Sequence, residues 1–502
     1  MLTLRLNPAD LASPWRWDGT SYVAGRSSIT PIHQPAVEHR LDVTCLGATI
    51  TVRERRTTVP DGAVTSWDRP AVAVSTTPAG EVSISTSACP AVPLYATVSR
   101  GGVLHASWDF SDLAEYAPSG RLHEVEVARL LALWLRYTPD TAVADVVRLT
   151  ERSVASLRDG RLHLALPVDA EHYAPRQLQP GADPIGAFEE LLAEAIGRRV
   201  YDVDAAVVEV SGGADSAQVA LSLSARHPRA LTAAGVLIPG EVGDQQRARR
   251  TALTAGRFAR DVAVPALPPL HPAGARATGA TCSPYEDPYS EAITAMLHAA
   301  RPGRPATVWT GTGGDEMLAL SAAERAQQPI GHDRPLHPWL SSSTVEALAA
   351  ADDDLPPVTL VNEMTLLAFG YRAPAMLRAG CWPFHVLADP ALIRFGEWLP
   401  VEWRQGKRLA RARLQRKGFA PEVVRPAISE NFRDVMQAAI IVHAVPWLRL
   451  MLAQGGILLD EGYLDPAGLA ATLDRIEAGG YQEDDGDLFE VLAVEQAAAA
   501  FS

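Results

Sequence analysis

Residues 207–216 read Val-Val-Glu-Val-Ser-Gly-Gly-Ala-Asp-Ser. An apolar run feeds a short loop, Ser211–Ser216, which opens onto a helix-forming stretch, Ala217–Ala225. A strand that delivers glycines to a helix start builds an anion site. Gly212 and Gly213 let the backbone approach a ligand closely, and free N–H groups at the helix start favour negative charge. Ser211 and Ser216 add hydroxyl donors. Asp215 cannot donate to a phosphate, so its expected role beside phosphates is to hold Mg²⁺. The loop is not a Walker A loop: it lacks the Gly-Lys-Ser/Thr ending and has no lysine near it.

Working outward, Asp183-Pro184 forms an N-cap and first helical residue leading into a helix over Ile185–Arg198. Strands are then expected at Ala205–Val210, Ala230–Ile238, Arg260–Val264 and Ala306–Thr310. They alternate with helices at Ala217–Ala225, Asp244–Phe258 and Ser290–Ala300. This is the pattern of a doubly wound parallel sheet, which binds ligands at the carboxyl ends of its strands. After about residue 340 the chain reads as mostly helical, for example Met364–Phe369, Arg408–Gln415 and Pro466–Ala478.

The first 165 or so residues read mainly as strands. Leu41–Val52 and Val82–Ser87 alternate in polarity. Leu94–Val98 and Val103–Ser107 flank Ser99-Arg100-Gly101-Gly102 as a hairpin. A helix is expected around Glu124–Tyr137. The polar, proline-bearing stretch Pro167–Pro184 reads as a linker. The expected organisation is therefore a domain over 1–165, a linker over 166–184 and a second domain over 185–502.

The chain has 502 residues, 47% of them hydrophobic and 21% charged, a soluble globular composition with room for two or three domains. The net charge of −14 speaks against a dedicated nucleic-acid binder. Met1–Ala12 has no long apolar core, so no signal peptide is expected, and no apolar run suggests a membrane span. Cys45, Cys89, Cys282 and Cys381 are scattered without metal spacing, as in a reduced cytoplasmic protein. Lysine occurs only at Lys407 and Lys417, so any step that needs a lysine has two choices.

A second motif, Thr310-Gly311-Thr312-Gly313-Gly314-Asp315-Glu316, follows the Ala306–Thr310 strand and falls at the same sheet edge as the first. Asp215 and Asp315 are expected to meet there and hold Mg²⁺ together with phosphate oxygens.

Ser211–Ser216 resembles the pyrophosphate-binding loop of ATP pyrophosphatases, Ser-Gly-Gly-x-Asp-Ser, residue for residue. With Thr310–Glu316 it resembles the synthetase domain of the class B asparagine synthetases. Glu286-Asp287-Pro288, Cys381–Phe384 with Phe395–Pro400, Gly406-Lys407 with Leu409 and Arg411–Arg413, and Phe419–Val424 extend the likeness over roughly 185–435. Pro93–Tyr95 through His105–Ser107 is similar to the late hairpin of that family's Ntn-type glutaminase domain. Such a glutaminase uses an N-terminal cysteine, whereas Met1 is followed here by Leu2, and Cys45 and Cys89 lie inside the chain. The resemblance thus implies a glutaminase-like β-rich remnant that has lost ammonia production, joined to a doubly wound ATP-pyrophosphatase domain with a helical C-terminal part. The nearest types are lasso-peptide cyclases and β-lactam synthetases, which adenylate a carboxylate and let an amine of the same molecule attack.

The implied activity is a carbon–nitrogen ligase that turns ATP into AMP and pyrophosphate without glutamine, in natural-product biosynthesis. Three readings stay open: a lasso-type peptide macrolactam cyclase, a small-molecule β-lactam or amide synthetase, and a non-catalytic nucleotide-binding subunit. The implied cofactors are ATP and Mg²⁺. The expected partners are a peptide or small-molecule carboxylate and, for the cyclase, leader-peptide-binding or protease proteins. Ser211, Gly212, Gly213, Asp215, Ser216 and Gly313 are assigned to the nucleotide, with Ile238, in Leu237–Gly240, beside the adenine or ribose. Asp244 is expected to cap a helix. The base position of the second motif holds Thr312, a poor base, and Glu363 is the candidate substitute. The family's late lysine is missing after Arg425-Pro426, leaving Lys407, Lys417 or Arg433 as the cation, with Lys407 favoured.

Overall fold

The computed structural model describes residues 1–57, 69–301, 306–319, 336–351 and 356–502. It is a mixed α/β protein. Its first part holds two antiparallel sheets. One has seven strands in the order Val147–Arg148, Tyr95–Val98, Leu104–Ser107, Leu2–Leu6, Ser27–Pro31, Tyr22–Ala24 and Arg16–Trp17. The other has six, in the order Arg161–Ala165, Val154–Arg158, Val82–Thr86, Ala71–Thr76, Gly47–Glu54 and Val37–Thr44. Alternate residues such as Leu2, Leu4, Ile50, Val52, Val74 and Ile84 turn inward into one apolar cluster. The hairpin expected around Gly101-Gly102 is present, with Leu104 opposite Val98.

Three local expectations are corrected. Leu41–Val52 is not one strand but parts of two, because the chain reverses at Cys45-Leu46 and Thr44 pairs with Gly47. The helix expected over Glu124–Tyr137 is Glu124–Leu131 only. It stops where Leu133 takes a φ of +51°, a left-handed value that helices do not continue through. Asp244 does not cap a helix; it lies inside Gly240–Thr254, which starts four residues earlier than Asp244.

Residues 166–183 carry no helix or strand. Beyond them stands a five-stranded parallel sheet. Its strands, in sheet order, are Arg260–Pro265, Thr232–Leu237, Ala206–Glu209, Ala306–Trp309 and Cys381–Phe384. In chain order this is 3-2-1-4-5, so the winding reverses between the first and fourth strands. The fifth strand is an edge strand and tolerates Pro383, which has no N–H to give. Both faces are covered. Val207, Ala234 and Val308 pack with Ile293, Met296 and Met376, while Val208, Ala233 and Trp309 pack with Phe188, Leu192, Val219 and Leu253. Strands buried on both faces explain the unbroken apolar run at 206–208.

The two parts share their interior. The cluster of the antiparallel sheets continues into one face of the parallel sheet. Val127, Leu130 and Leu131 pack with Leu488, Val491 and Leu492 of the C-terminal helix Leu488–Phe501. One continuous helical run, Arg433–Gln454, is long and apolar enough by length and composition to cross a membrane, which sequence reading did not expect. Ile440, Ala444 and Leu448 along it are fully buried in the C-terminal core, while Ile441, Val442 and Leu450 are exposed.

Candidate active site

The strand Ala206–Glu209 ends at Ser211–Ser216, at the carboxyl edge of the sheet, and Gly213 leads into the helix Ala214–Arg226. Gly212 takes a φ of +95°, which lets the loop turn back on itself. The two hydroxyls close that turn. Ser211 Oγ and Ser216 Oγ are 3.0 Å apart, Ser211 N donates to Ser216 Oγ (3.2 Å), and Gly213 N donates to Ser211 Oγ (3.1 Å).

Gln246, from the helix Gly240–Thr254, clamps the loop to the neighbouring strand. Its Nε2 donates to Ser211 O (2.8 Å) and Val236 O (2.9 Å), and its Oε1 accepts from Ile238 N (2.9 Å). Through Gln246, Ile238 is thereby tied to the Ser211–Ser216 loop. Sequence reading missed Gln246. Its signal was a polar residue on the buried side of a helix, visible only once the packing is known.

The second loop follows the fourth strand and touches the first. A Cβ on Gly311 would lie 2.5 Å from Ser216 N, so only glycine allows this approach. Gly313 turns the chain with a φ of +92° into the short helix Gly314–Met317. Both loops therefore stand at the point where the strand order reverses, the usual place for a ligand crevice in an open α/β sheet.

Lys407 joins them. Its Nζ lies 2.6 Å from Asp215 Oδ2 and 2.6 Å from Asp315 Oδ1. The residue is held between two helices with a φ of +56°, directly after Gly406 at the same value. A non-glycine residue in this region is kept there by its surroundings, here by the two carboxylates. Burial raises the proton affinity of Asp215, and Lys407 offsets part of that rise. Burial opposes the charge on Lys407, but Asp215 and Asp315 outweigh it and hold the ammonium firmly charged. Of the other two candidate cations, Lys417 pairs with Glu189 at 2.7 Å, whereas Arg433 pairs with Glu483 and lines the cavity next to the second motif.

Among the described residues no group of three or more His, Cys, Asp or Glu is arranged to hold a metal. Mg²⁺ on phosphate substrates needs fewer protein ligands, commonly one or two carboxylates with phosphate oxygens and water completing the shell. Asp215 and Asp315 already converge on one cation, so the residues fit that mode.

Thr312 is bonded to Arg372, whose Nη1 donates to Thr312 Oγ1 (3.0 Å) and whose Nη2 donates to Glu209 Oε1 (2.7 Å). Asp287 stands 3.7 Å from the same guanidinium. Burial opposes the charge on Arg372, but Glu209 and Asp287 hold it more firmly charged than usual. Arg372 is thus a fixed cation beside the second motif, where sequence reading sought one only among later residues. His385 braces the motif from below, its Nδ1 2.8 Å from Thr310 Oγ1.

A cavity of about 550 Å³ opens next to the second motif. Glu316 and Arg372 line it, together with Tyr289, Tyr371 and Tyr481. Glu363 does not. It begins the helix Glu363–Arg378 at the surface, 4.0 Å from Arg136, so Met364 rather than Glu363 reaches the cavity. Burial raises the proton affinity of Glu316, and Asp315 adds to the effect, which makes Glu316 a better-placed proton acceptor than Thr312 or Glu363.

No protein-family model matches this chain, and no curated protein matches it.

Proposed function

We propose that this chain is an ATP-dependent amide synthetase that adenylates a substrate carboxylate and joins it to an amine. The observation that carries the reading is the convergence of Asp215 and Asp315 on one ammonium where two glycine loops meet at the sheet's reversal point. A carboxylate oxygen of the substrate attacks the α-phosphorus of ATP and pyrophosphate leaves. The Ser211–Ser216 N–H groups receive that pyrophosphate. Mg²⁺, when bound between Asp215 and Asp315, supplies charge neutralisation for the phosphates. Lys407, released from those carboxylates, is then free to neutralise phosphate or oxyanion charge. In the second half an amine nitrogen attacks the acyl carbon, AMP leaves, and a carboxylate such as Glu316 takes the amine proton.

In this reading residues 1–165 are a glutaminase-like Ntn remnant and 185–502 the ATP-pyrophosphatase domain. The leading substrate is a peptide cyclised to a lasso-type macrolactam, delivered by leader-binding or protease partners in the cytoplasm. The cavity volume of about 550 Å³, within the range of small-molecule sites, favours a small-molecule lactam or amide synthetase as the second reading. ATP–pyrophosphate exchange over a pool of peptides and amino-acid derivatives tests the proposal. Exchange abolished by Asp215→Ala and Asp315→Ala supports it; absence of exchange with every pool and partner protein favours the non-catalytic subunit instead.

A further inference from the structure

One wall of the cavity has no part in the steps above. It is supplied by the C-terminal helix Leu488–Phe501, which presents Phe489 and Glu490. Glu490 is only 8% exposed, and its Oε2 has no hydrogen-bond partner among the described residues. A buried carboxyl oxygen left unpaired is costly, and such groups are rare unless something else completes them.

Nothing nearby does so. Arg276 is the cation that acts on Glu490, but it is committed elsewhere. Its Nη1 donates to Gln496 Oε1 (3.1 Å), its Nη2 to Ser283 O (2.7 Å), and it stacks over Phe489. Asp287, Glu483 and Asp487, which also line the cavity, face Arg372, Arg433 and His337 respectively. Among the described residues Glu490 therefore differs from these three in having no ion pair of its own, with Arg276 acting on it only from its other bonds. Burial pushes it up to about 8, with Asp487 adding to the rise, so near neutral pH it is poised to ionise when a cation arrives. Tyr371 and Tyr481 line the same cavity and offer aromatic rings, which also favour cations.

We propose that Glu490 receives a basic group of the substrate, an ammonium or a guanidinium, so that the acids used by this enzyme also carry a positive charge. The proposal rests on the reading of this cavity as the acyl-substrate site. It links the two ends of such a molecule: Glu316 and Arg372 lie by the second motif, and Glu490 lines the same space.

The test is isothermal titration of the full-length protein, without ATP, using Nα-acetyl-arginine and its uncharged counterpart Nα-acetyl-citrulline. A hydrogen bond to a charged partner is worth about 1.5–3 kcal/mol, so the arginine probe should bind about tenfold tighter or more. Glu490→Gln should remove the preference; Glu490→Met, also neutral and of similar size, serves if the glutamine protein does not fold. Equal affinity of the two probes for the unmodified protein, no saturable binding of either, or a preference that survives in the folded variant overturns the proposal. ATP–pyrophosphate exchange is measured separately. A charge preference dependent on Glu490 without any exchange would leave the cation site standing and remove the synthetase reading.

Discussion

Replacing Lys407 with methionine should move two measurable quantities in opposite directions. The ammonium lies 2.6 Å from each of Asp215 and Asp315, and its removal leaves two carboxylates facing one another. The lysine is 32% exposed and Asp315 63%, so solvent screens much of the attraction. Exposed pairs are worth about 0.2–1 kcal/mol and a charged hydrogen bond to a half-buried partner somewhat more, which gives a net loss of about 1–2 kcal/mol for the free protein. For a divalent cation the sign reverses. Lysine competes for the same two carboxylates, so Lys407→Met should bind Mn²⁺ without nucleotide about tenfold more tightly, as read by electron paramagnetic resonance. ATP–pyrophosphate exchange should nevertheless fall on the order of a hundredfold, because a cation aimed at developing charge is lost. Unchanged Mn²⁺ affinity together with full exchange would refute the placement of Lys407 at the phosphate site.

Three further outcomes follow from the same structure. Gly311→Ala puts a methyl 2.5 Å from Ser216 N, a backbone atom that cannot step aside, so the protein should lose about 1–3 kcal/mol in a denaturant melt and most of its exchange activity. Glu126 is fully buried beside Arg129 and Tyr285, and burial pushes it up to about 7. Its folded value lies above the unfolded one, so its contribution is complete below about pH 4.5 and is lost as pH rises through 7; Glu126→Gln should flatten the fall in melting temperature between those values, and an unchanged profile would show Glu126 is not the group responsible. On the proposed reading no glutamate should be released from glutamine at a rate that tracks protein concentration, and release that scales with protein would count against it.

Much of the site was legible because its chemistry is local in sequence. A strand, two glycines and an acid in ten residues specify Ser211–Ser216, and the second motif repeats the logic after the fourth strand. Lys407 could be favoured because it lies in the Gly406-Lys407 segment that carries the family likeness, although only the fold brings it from 192 residues away to Asp215. The rest depends on packing. Gln246 is one polar residue among many on the helix Gly240–Thr254 until its face is known to be buried against the first loop. Arg372 and Glu490 are charges set in mostly apolar helical stretches, Glu363–Arg378 and Leu488–Phe501, and only the cavity shows what they face. The misread strand at Leu41–Val52 has a different origin: the apolar positions change phase, from Leu41 and Val43 to Ala48, Ile50 and Val52, across the reversal at Cys45-Leu46, a one-residue shift that is easily passed over in a run that otherwise alternates.

The most direct test of the central claim is the identity of the nucleotide product. The protein is incubated with α-labelled ATP, Mg²⁺ and pooled peptide and amino-acid carboxylates, cationic ones included, and the labelled nucleotides are separated. Labelled AMP with an equal amount of pyrophosphate is predicted, and both should vanish in Asp215→Ala; labelled ADP, or AMP formation untouched by that substitution, would contradict it.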